Sequence, residues 1–294
     1  MDINGIDISD AEIKKFQETV RSHSSYDIND YSLNSLKRRL LKVTEEYGLD
    51  MSGLIRTISE DPVALEEVVK KLSVKTTMLF RDPQVWISIM RDVLPRFRKH
   101  DEIRIWHPGC STGQEVYSLM ILLEQVGLLE RSRIYASDIN EDVLEIARNG
   151  QYRLRFNREY IDNFKAVFSK EQEKATGRSF ADHKAFFQTD ETTDRINMHE
   201  HLCEKPIYRK MDLVRDDNLF RKSFDLVICR NVIIYFNFNL QNRVLRMFHR
   251  NLRKNGILVL GLHESIIGPG SKLFRKSGHF YVRTPAANSY PYAE

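Results

Sequence analysis

Cysteine is scarce in this sequence of 294 residues, which contains three of them. Cys110, Cys203 and Cys229 are odd in number, lie far apart and form no Cys-x-x-Cys pair. This pattern argues against a disulfide framework and is typical of proteins from a reducing compartment. We therefore expect a cytoplasmic protein.

Long apolar runs are also missing. No stretch approaches the roughly 18 consecutive apolar residues that a membrane-spanning helix needs. The longest candidate, residues 226–236, is interrupted by Arg230 and Asn231. Residues 1–12 are acidic and polar, whereas a secretory signal starts with basic residues and continues with an apolar run. The sequence thus predicts neither a membrane span nor export.

A large excess of charge of one sign is the third missing feature. Lys and Arg total 45 and Asp and Glu total 41, which gives a formal net charge of +4. So small an excess does not by itself argue for a nucleic-acid partner. Hydrophobic residues make up 41% of the chain and aromatic residues 10%, enough for a packed core. At roughly 100 to 200 residues per domain, this length predicts one large domain or two unequal ones.

The first 75 residues carry helical patterns only. Asp61 before Pro62 is a typical helix start, and Gly48 is a typical helix end. We therefore expect a small all-helical domain over residues 1–75, with a boundary near 73–76. Apolar residues recur at helical spacing over 11–22, 33–47, 51–59 and 62–72.

From about residue 100 the pattern changes to short β-branched runs that alternate with helical ones, which predicts an α/β fold with a doubly wound, mostly parallel sheet. Ser277-Gly278 marks an antiparallel hairpin of 273–275 and 279–283 at the end of this sheet. Residues 151–208 are more than one crossover needs, so we interpret them as an inserted subdomain. The predicted strands are 103–107, 133–137, 224–229 and 256–262, and the predicted helices are 114–126, 141–149 (capped by Asn140) and 240–252.

A glycine-containing loop connects the first predicted strand to the following helix. Gly109 and Gly113 let the chain turn tightly near a ligand, and the helix start offers free N–H groups. The next strand ends in Asp138, whose carboxylate can accept both hydrogen bonds of a ribose diol. The spacing is neither G-x-G-x-x-G nor a P-loop, which disfavours NAD and ATP. A nucleoside site and an ordinary tight turn both fit.

Four ordered segments make the chain similar to a known family. The segments 77–82 (TMLFRD), 106–115 (WHPGCSTGQE), 136–139 (ASDI) and 229–236 (CRNVIIYF) resemble the chemotaxis receptor methyltransferase family, CheR. The resemblance runs from about residue 10 to 285. It implies an all-helical N-terminal domain for substrate recognition and a class I methyltransferase domain over 76–294.

The resemblance implies a reaction as well as a fold. Such enzymes use S-adenosylmethionine to methylate glutamate side chains on cytoplasmic coiled-coil regions of chemoreceptors. We expect the same cofactor and partners here, no nucleic-acid partner and a monomer. Arg81 and Tyr235 take the catalytic roles, Tyr235 near the reacting methyl group. The cofactor contacts carried over are Thr77, Arg81, Gly109, Glu115, Asp138, Asp212, Leu213, Arg230 and Asn231.

Some residues depart from the family pattern. Lys75 stands where the family often has Asn, and Gln114 and Val116 replace the usual Glu and Pro around Glu115. His107-Pro108 replaces two small residues. An alternative is therefore a signalling or cofactor-binding module that has another protein target or has lost its activity.

A basic run lies on the second predicted helix. Arg38, Arg39 and Lys42 are expected to share an exposed side that would attract a glutamate-rich receptor helix. In the family, a basic helix of the N-terminal domain contacts the receptor. The alternative is an ordinary solvated face.

Two other chemistries are disfavoured. Three possible metal ligands, His199, His201 and Cys203, occur at every second position, as ligands on one side of a strand would. No fourth ligand is evident, so we expect no metal. The sequence has no adjacent prolines and no Pro-Cys pair, which argues against nucleic-acid methylation.

A substrate glutamate with a pKa of about 4.3 is already ionised near neutral pH, so methyl transfer to it requires no general base.

Overall fold

The computed structural model describes residues 8–24, 26–72, 77–217 and 219–285. The chain divides into two compact units. The helical unit comprises residues 1–74, 212–217 and 232–244, and the sheet unit comprises 75–211, 218–231 and 245–294. The predicted boundary near 73–76 lies outside the described residues.

The helical unit contains four helices near the N-terminus. Ser9 caps the first helix in a capping box with Glu12, and Asp50 caps the third by accepting from Gly53 N. The second helix ends at Gly48, whose φ of +63° gives it the left-handed conformation that favours glycine. The helices are α1 (Asp10–His23), α2 (Leu33–Tyr47), α3 (Met51–Glu60) and α4 (Pro62–Leu72).

Two later segments fold with these four helices, which the sequence did not predict. Tyr31 and Phe236 form an isolated antiparallel bridge, and their rings meet edge to face with centroids 5.5 Å apart. Asn237 N donates to Asp30 O at 2.7 Å. The segment 232–244 is therefore attached to the residues just before α2 by a β-bridge, a ring contact and a hydrogen bond.

The sheet unit is built on a seven-stranded sheet in the order β6-β2-β1-β7-β8-β10-β9. The pairs from β6 to β8 are parallel, while β10 is antiparallel to both β8 and β9. This confirms the predicted α/β class with its C-terminal hairpin. The strands are β1 (Ile103–Pro108), β2 (Ser132–Asp138), β6 (Ile207–Lys210), β7 (Phe224–Cys229), β8 (Leu252–Leu260), β9 (Phe274–Ser277) and β10 (Phe280–Arg283).

Helices and an insertion complete this unit. The insertion carries a separate antiparallel sheet in the order β3-β5-β4. Asn140 caps α7 as predicted, accepting from Asp142 N at 3.0 Å. The helices are α5 (Pro83–Ser88), α6 (Gln114–Gln125), α7 (Glu141–Asn149), α8 (Glu159–Val167), α9 (Lys170–Thr176), α10 (Glu200–Cys203) and α11 (Phe238–Asn251), whose residues up to 244 belong to the helical unit; the strands of the insertion are β3 (Gln151–Arg153), β4 (Phe187–Asp190) and β5 (Arg195–Met198).

Outside the helices and the separate sheet of the insertion, three elements show the clearest differences from the prediction. The edge strand β6 was missed because it is short and mostly exposed, so it lacks an apolar pattern. The helix α5 was also missed. The strand predicted over 256–262 begins earlier, at Leu252, where the sequence pattern still favoured helix.

Trp106 on β1 belongs to a group of buried aromatic side chains in the sheet unit. Its ring is fully buried and packs against Phe224 and Phe248 with centroids 5.3 and 5.6 Å apart. Its indole Nε1 donates to Ser137 Oγ at 3.1 Å, which satisfies the one polar atom of the buried ring. This hydrogen bond links β1 to β2, and the loop that contains Gly109 follows the carboxyl end of β1. Among the helices of the described part of the chain, none is long and apolar enough to cross a membrane.

Candidate functional site

The glycine loop follows β1 at the carboxyl edge of the sheet. Gly109 and Gly113 have φ values of +69° and +88°, which glycine adopts without strain. A Cβ at Gly113 would lie 2.7 Å from Ala147 Cβ, so glycine is required there for α6 to pass close to α7. Cys110 N donates to Ser137 O at 3.0 Å and ties the loop to the neighbouring strand.

Asp138 stands beside this loop at the end of β2. Its Oδ2 accepts from Ser111 N at 2.8 Å, and its Oδ1 accepts from Asn140 N at 3.1 Å. Burial raises the pKa of Asp138, and the backbone hydrogen bonds act against that rise. Each carboxylate oxygen can accept more than one hydrogen bond, so Asp138 can also receive a diol.

Arg230 follows β7 at the same edge, and its side chain is fully buried. Its Nη1 donates to Glu115 Oε1, and its Nη2 donates to Asp82 Oδ2, each at 2.6 Å. The guanidinium therefore joins the end of β7, the first turn of α6 and the turn before α5. The structure thus gives Arg230 two carboxylate partners, and the cofactor contact that the resemblance implies for it stays a prediction.

Burial sets the protonation of the groups around Arg230. It raises the pKa of Glu115, and the charges of Arg230 and then Arg81 oppose that rise. Burial, with a smaller contribution from Arg230, lowers the pKa of His107 to about 3. The imidazole of His107 is consequently neutral near pH 7.

The turn that carries Arg81 is strained. Phe80 and Asp82 have φ values of +52° and +56°, and Phe80 N donates to Ser118 Oγ on α6 at 2.7 Å. The carbonyl of Arg81 accepts from Trp86 Nε1 at 2.9 Å. Non-glycine residues with positive φ cost energy and cluster at functional sites. Seven non-glycine residues in the described part of the chain have a positive φ, and four of them belong to this site: Phe80, Asp82, Ser111 and Asn231.

Thr77 borders a cavity next to the glycine loop. The cavity has a volume of about 310 Å³ and is also lined by Gln114 and Tyr160. Gln114, which stands where the family usually has Glu, is buried, and Thr112 Oγ1 donates to its side-chain oxygen at 2.7 Å. The glycine loop therefore accommodates glutamine at this position. Val116 is buried in the core. Lys75 lies outside the described residues.

Glu264 is a buried residue of this site that the sequence analysis missed. Its Oε2 accepts from Asn231 N at 2.8 Å and from Gly261 N at 2.7 Å. A Cβ at Gly261 would lie 3.0 Å from Asn231 N, so the ends of β7 and β8 approach closely. Glu264 therefore fixes Asn231, which has a φ of +59°. The only signal in the sequence was an acidic residue shortly after an apolar strand.

Several buried polar atoms at this edge have no hydrogen-bond partner within the described part of the chain. They are Ser111 Oγ, Asn231 Oδ1, Arg230 Nε and His107 Nε2. Native proteins rarely leave buried polar groups unpaired, because each costs about 1–3 kcal/mol. Their grouping around the ends of β1 and β7 fits a polar ligand at this edge.

Three other predicted residues, Asp212, Leu213 and Tyr235, fold with the helical unit. Val214 N donates to Asp212 Oδ1 at 2.8 Å, while Oδ2 is buried and unpaired among the described residues. Burial raises the pKa of Asp212 to about 6, and the neighbouring Asp216 adds to the rise. Tyr235 is half-buried.

The predicted basic face of α2 needs correction. Arg38 and Lys42 are exposed, but Arg39 is not on their side of the helix. Its guanidinium carbon lies 4.1 Å from the centroid of the Tyr235 ring, and its Nη1 donates to the carbonyl of Leu72. Neighbouring residues on an α-helix point about 100° apart, which lets Arg39 turn towards Tyr235 and Leu72 while Arg38 stays exposed.

The alternation of His199, His201 and Cys203 does not place them on one side of a strand. Residues Glu200–Cys203 form the short helix α10, and His199 is its N-cap. His201 Nε2 lies 2.9 Å from Glu124 Oε2. In the described ranges, no group of three His, Cys, Asp or Glu side chains could hold a metal ion.

Comparison with known proteins adds two family matches. The CheR methyltransferase all-alpha domain matches residues 11–73, and the CheR methyltransferase SAM binding domain matches residues 75–280. A Pseudomonas putida protein named as methyltransferase Cher3 is 35% identical over 264 residues, which cover 88% of this chain and 90% of that protein.

Two chemotaxis protein methyltransferases are more distant relatives. The protein of Listeria monocytogenes is 27% identical over 273 residues, covering 92% of this chain and 96% of that protein. The protein of Salmonella typhimurium is 25% identical over 263 residues, covering 88% of this chain and 85% of that protein. The similarity extends over both units.

Proposed function

The chain belongs to the CheR methyltransferase family, and from this premise we propose that it methylates glutamate side chains on the cytoplasmic coiled-coil regions of chemoreceptors. The products are glutamyl methyl esters, and the enzyme acts in the cytoplasm as a monomer. The observation that carries the proposal is that both CheR domain models match, in order, along residues 11–73 and 75–280. The cofactor is S-adenosylmethionine.

The residues at the carboxyl edge of the sheet suit this cofactor. Asp138 has the acceptor capacity for the ribose hydroxyls, and the glycines of the loop permit close approach of the backbone. Ser111 Oγ and Asn231 Oδ1, which have no hydrogen-bond partner among the described residues, are available for its polar groups. We also assign Thr77 and Arg81 to the cofactor, Arg81 to the methionyl carboxylate, because a guanidinium can bind it bidentately. Bound S-adenosylmethionine supplies an electrophilic methyl group on a sulfonium.

Glu115 is held by Arg230, so we assign Arg230 the role of fixing Glu115 towards the cofactor. Gly109 contributes its backbone. Asp212 and Leu213 remain assigned to cofactor binding by their match to the family motif.

The chemistry requires alignment more than proton transfer. A substrate glutamate with a pKa of about 4.3 arrives ionised, so its carboxylate can attack without a base. His107, with a pKa of about 3, is a poor proton acceptor near neutral pH. We therefore assign catalysis to positioning and partial desolvation of the carboxylate, with Tyr235 orienting it.

The helical unit supplies the charges that recognise the receptor. Arg38 and Lys42 lie four residues apart on α2 and are both exposed. Such a basic face steers an acidic helix towards the enzyme and adds contacts at the rim of the interface.

The proposal is tested by transfer of a labelled methyl group to a purified receptor coiled-coil fragment. We expect incorporation that mild alkali releases as methanol, because carboxyl esters hydrolyse under conditions that leave methylated amines intact. Calorimetry with S-adenosylmethionine runs in parallel. Cofactor binding without any transfer to receptor fragments would favour the alternative of a module that has lost its activity or has another target.

A further inference from the structure

Arg39 faces inward in the helical unit although it belongs to a basic run. Its guanidinium carbon lies 4.1 Å from the centroid of the Tyr235 ring, well within the 6 Å range of a cation–π contact. Its Nη1 donates to the carbonyl of Leu72 at the end of α4. Arg39 therefore connects α2, α4 and the segment that contains Tyr235.

The guanidinium of Arg39 is partly removed from water. Burial lowers the pKa of Arg39, and Tyr235 and Tyr31 act against that effect. Its Nη2 is buried and has no hydrogen-bond partner among the described residues. Removal from water strengthens a cation–π contact, so the ring replaces part of the hydration that the cation has lost.

The backbone of Tyr235 is held independently of its ring. Ser32 N, at the start of α2, donates to Tyr235 O at 2.8 Å. The following residue, Phe236, is bridged to Tyr31. The backbone is thus fixed by the chain before α2, and the direction of the phenol ring is fixed by Arg39 on α2.

We propose that Arg39 is a positioning residue that fixes the ring of Tyr235 for methyl transfer and takes no part in docking of the receptor. The proposal rests on the proposed function, in which Tyr235 orients the attacking carboxylate. It divides the basic run of α2 into two roles. Arg38 and Lys42 bind substrate, and Arg39 acts through Tyr235.

Kinetics of matched variants separate these roles. In Arg39→Gln we expect the single-turnover rate at saturating cofactor and receptor to fall about ten- to hundredfold, the size of effect that misplacement of a catalytic group produces. The apparent KM for receptor and its salt dependence should stay close to those of the parent. Arg39→Lys should recover part of the rate, because an ammonium keeps the charge near the ring but lacks the planar fork.

Two other arginines serve as controls for the loss of one positive charge. Arg38→Gln should raise the KM for receptor, unlike Arg39→Gln. Arg56→Gln removes an exposed arginine of α3 in the same unit and should change neither quantity.

A double-mutant cycle distinguishes positioning from a general structural role. In the Tyr235→Phe background, which keeps the ring but lacks the hydroxyl that can donate to a carboxylate, Arg39→Gln should slow the reaction less than it does in the parent. In the Tyr235→Ala background it should have little further effect. Equal rate losses in the parent and Tyr235→Ala backgrounds would overturn the proposal, and so would a rise in receptor KM at an unchanged saturating rate.

A spectroscopic readout keeps the inference independent of activity. With 3-fluorotyrosine at position 235, the ¹⁹F resonance should shift in Arg39→Gln and stay in place in Arg56→Gln. If the parent methylates no receptor fragment, the proposed function fails, and the ¹⁹F shift still tests the contact. An unchanged resonance in folded Arg39→Gln would overturn the assignment of Arg39 even if methylation is observed.

Discussion

Arg230 and Glu115 form a buried ion pair in which Nη1 donates to Oε1 at 2.6 Å. The side chain of Arg230 is fully enclosed and that of Glu115 is 11% exposed. Asp82 occupies the other terminal nitrogen of the same guanidinium. The positive charge of Arg230 thus balances the negative charges of two carboxylates at the edge of the sheet. We expect the chain around the glycine loop to depend on this ion pair for its stability.

Replacement of Arg230 by Met should destabilise the protein severely. The substitution leaves the carboxylates of Glu115 and Asp82 without their shared partner, and breaking a buried pair in this way costs about 3–5 kcal/mol. Urea unfolding measures the difference. Arg133→Met is the control, because Arg133 is 63% exposed and lies 3.7 Å from Glu102, so its loss should cost less than about 1 kcal/mol. Similar losses in both variants would refute the importance of the buried pair.

Asp138→Ala should weaken the binding of S-adenosylmethionine. The carboxylate is the proposed acceptor for the ribose, and it also holds Ser111 N in the loop. Loss of a hydrogen bond to a charged group costs about 1.5–3 kcal/mol, which corresponds to a roughly ten- to hundredfold lower affinity. Calorimetry provides the measurement, with Glu145→Ala on the exposed face of α7 as control. If Asp138→Ala binds S-adenosylmethionine as tightly as the parent does, the assignment of Asp138 as a cofactor contact is wrong.

Asp212→Asn should stabilise the cofactor-free protein above pH 6 and have little effect below about pH 4. Burial raises the pKa of Asp212 from 3.8 to about 6, so the folded state binds its proton more tightly than the unfolded state. The unfolding free energy of the parent therefore decreases as the pH rises through this window. Allowing for partial exposure, the gain should be about 1–2 kcal/mol at pH 7.5.

The check on Asp212 is a series of urea unfolding curves between pH 4 and 8. Asn can still accept from Val214 N, so the native hydrogen bond is retained. Asp162→Asn on α8 controls for the loss of one exposed negative charge. A difference between parent and Asp212→Asn that does not change with pH would contradict the assigned burial of this carboxylate.

The exposed pair on α2 should control receptor association. In the double variant Arg38→Gln/Lys42→Gln we expect unchanged binding of S-adenosylmethionine, a higher KM for receptor and a weaker response to salt, because charges are screened within about 10 Å at 0.1 M salt. Lys14→Gln/Lys15→Gln on α1 is a matched control of two exposed lysines. Identical receptor kinetics and salt response in the parent and the α2 variant would move the docking surface elsewhere, and residues 151–208 would then be the next candidate.

Local signals in the sequence were sufficient for elements whose pattern is complete within the chain segment. The periodicity and caps of α2, α4 and α7 predicted their bounds as the structure has them. The strands β1, β2 and β7 were predicted to within a residue, because most of their residues are buried and turn signals bound their apolar runs.

Features that depend on contacts distant in the chain could not be predicted in this way. The direction of Arg39 is set by Tyr235 and Leu72, neither of which is near it in sequence. The role of Glu264 depends on how closely β7 and β8 approach, which the sequence does not reveal. The edge strand β6 has little apolar character and is defined by its pairing with β2.

The most direct test of the proposed reaction is mass spectrometry of a receptor coiled-coil fragment after incubation with enzyme and S-adenosylmethionine. We predict that fragments gain the mass of one or more methyl groups, located on glutamate side chains and lost on mild alkaline treatment. Replacement of each modified glutamate by alanine should abolish the corresponding gain. Methyl groups on lysine or arginine, or receptor fragments that stay unmodified beside an enzyme that binds its cofactor, would contradict the assignment as a glutamate methyltransferase of chemoreceptors.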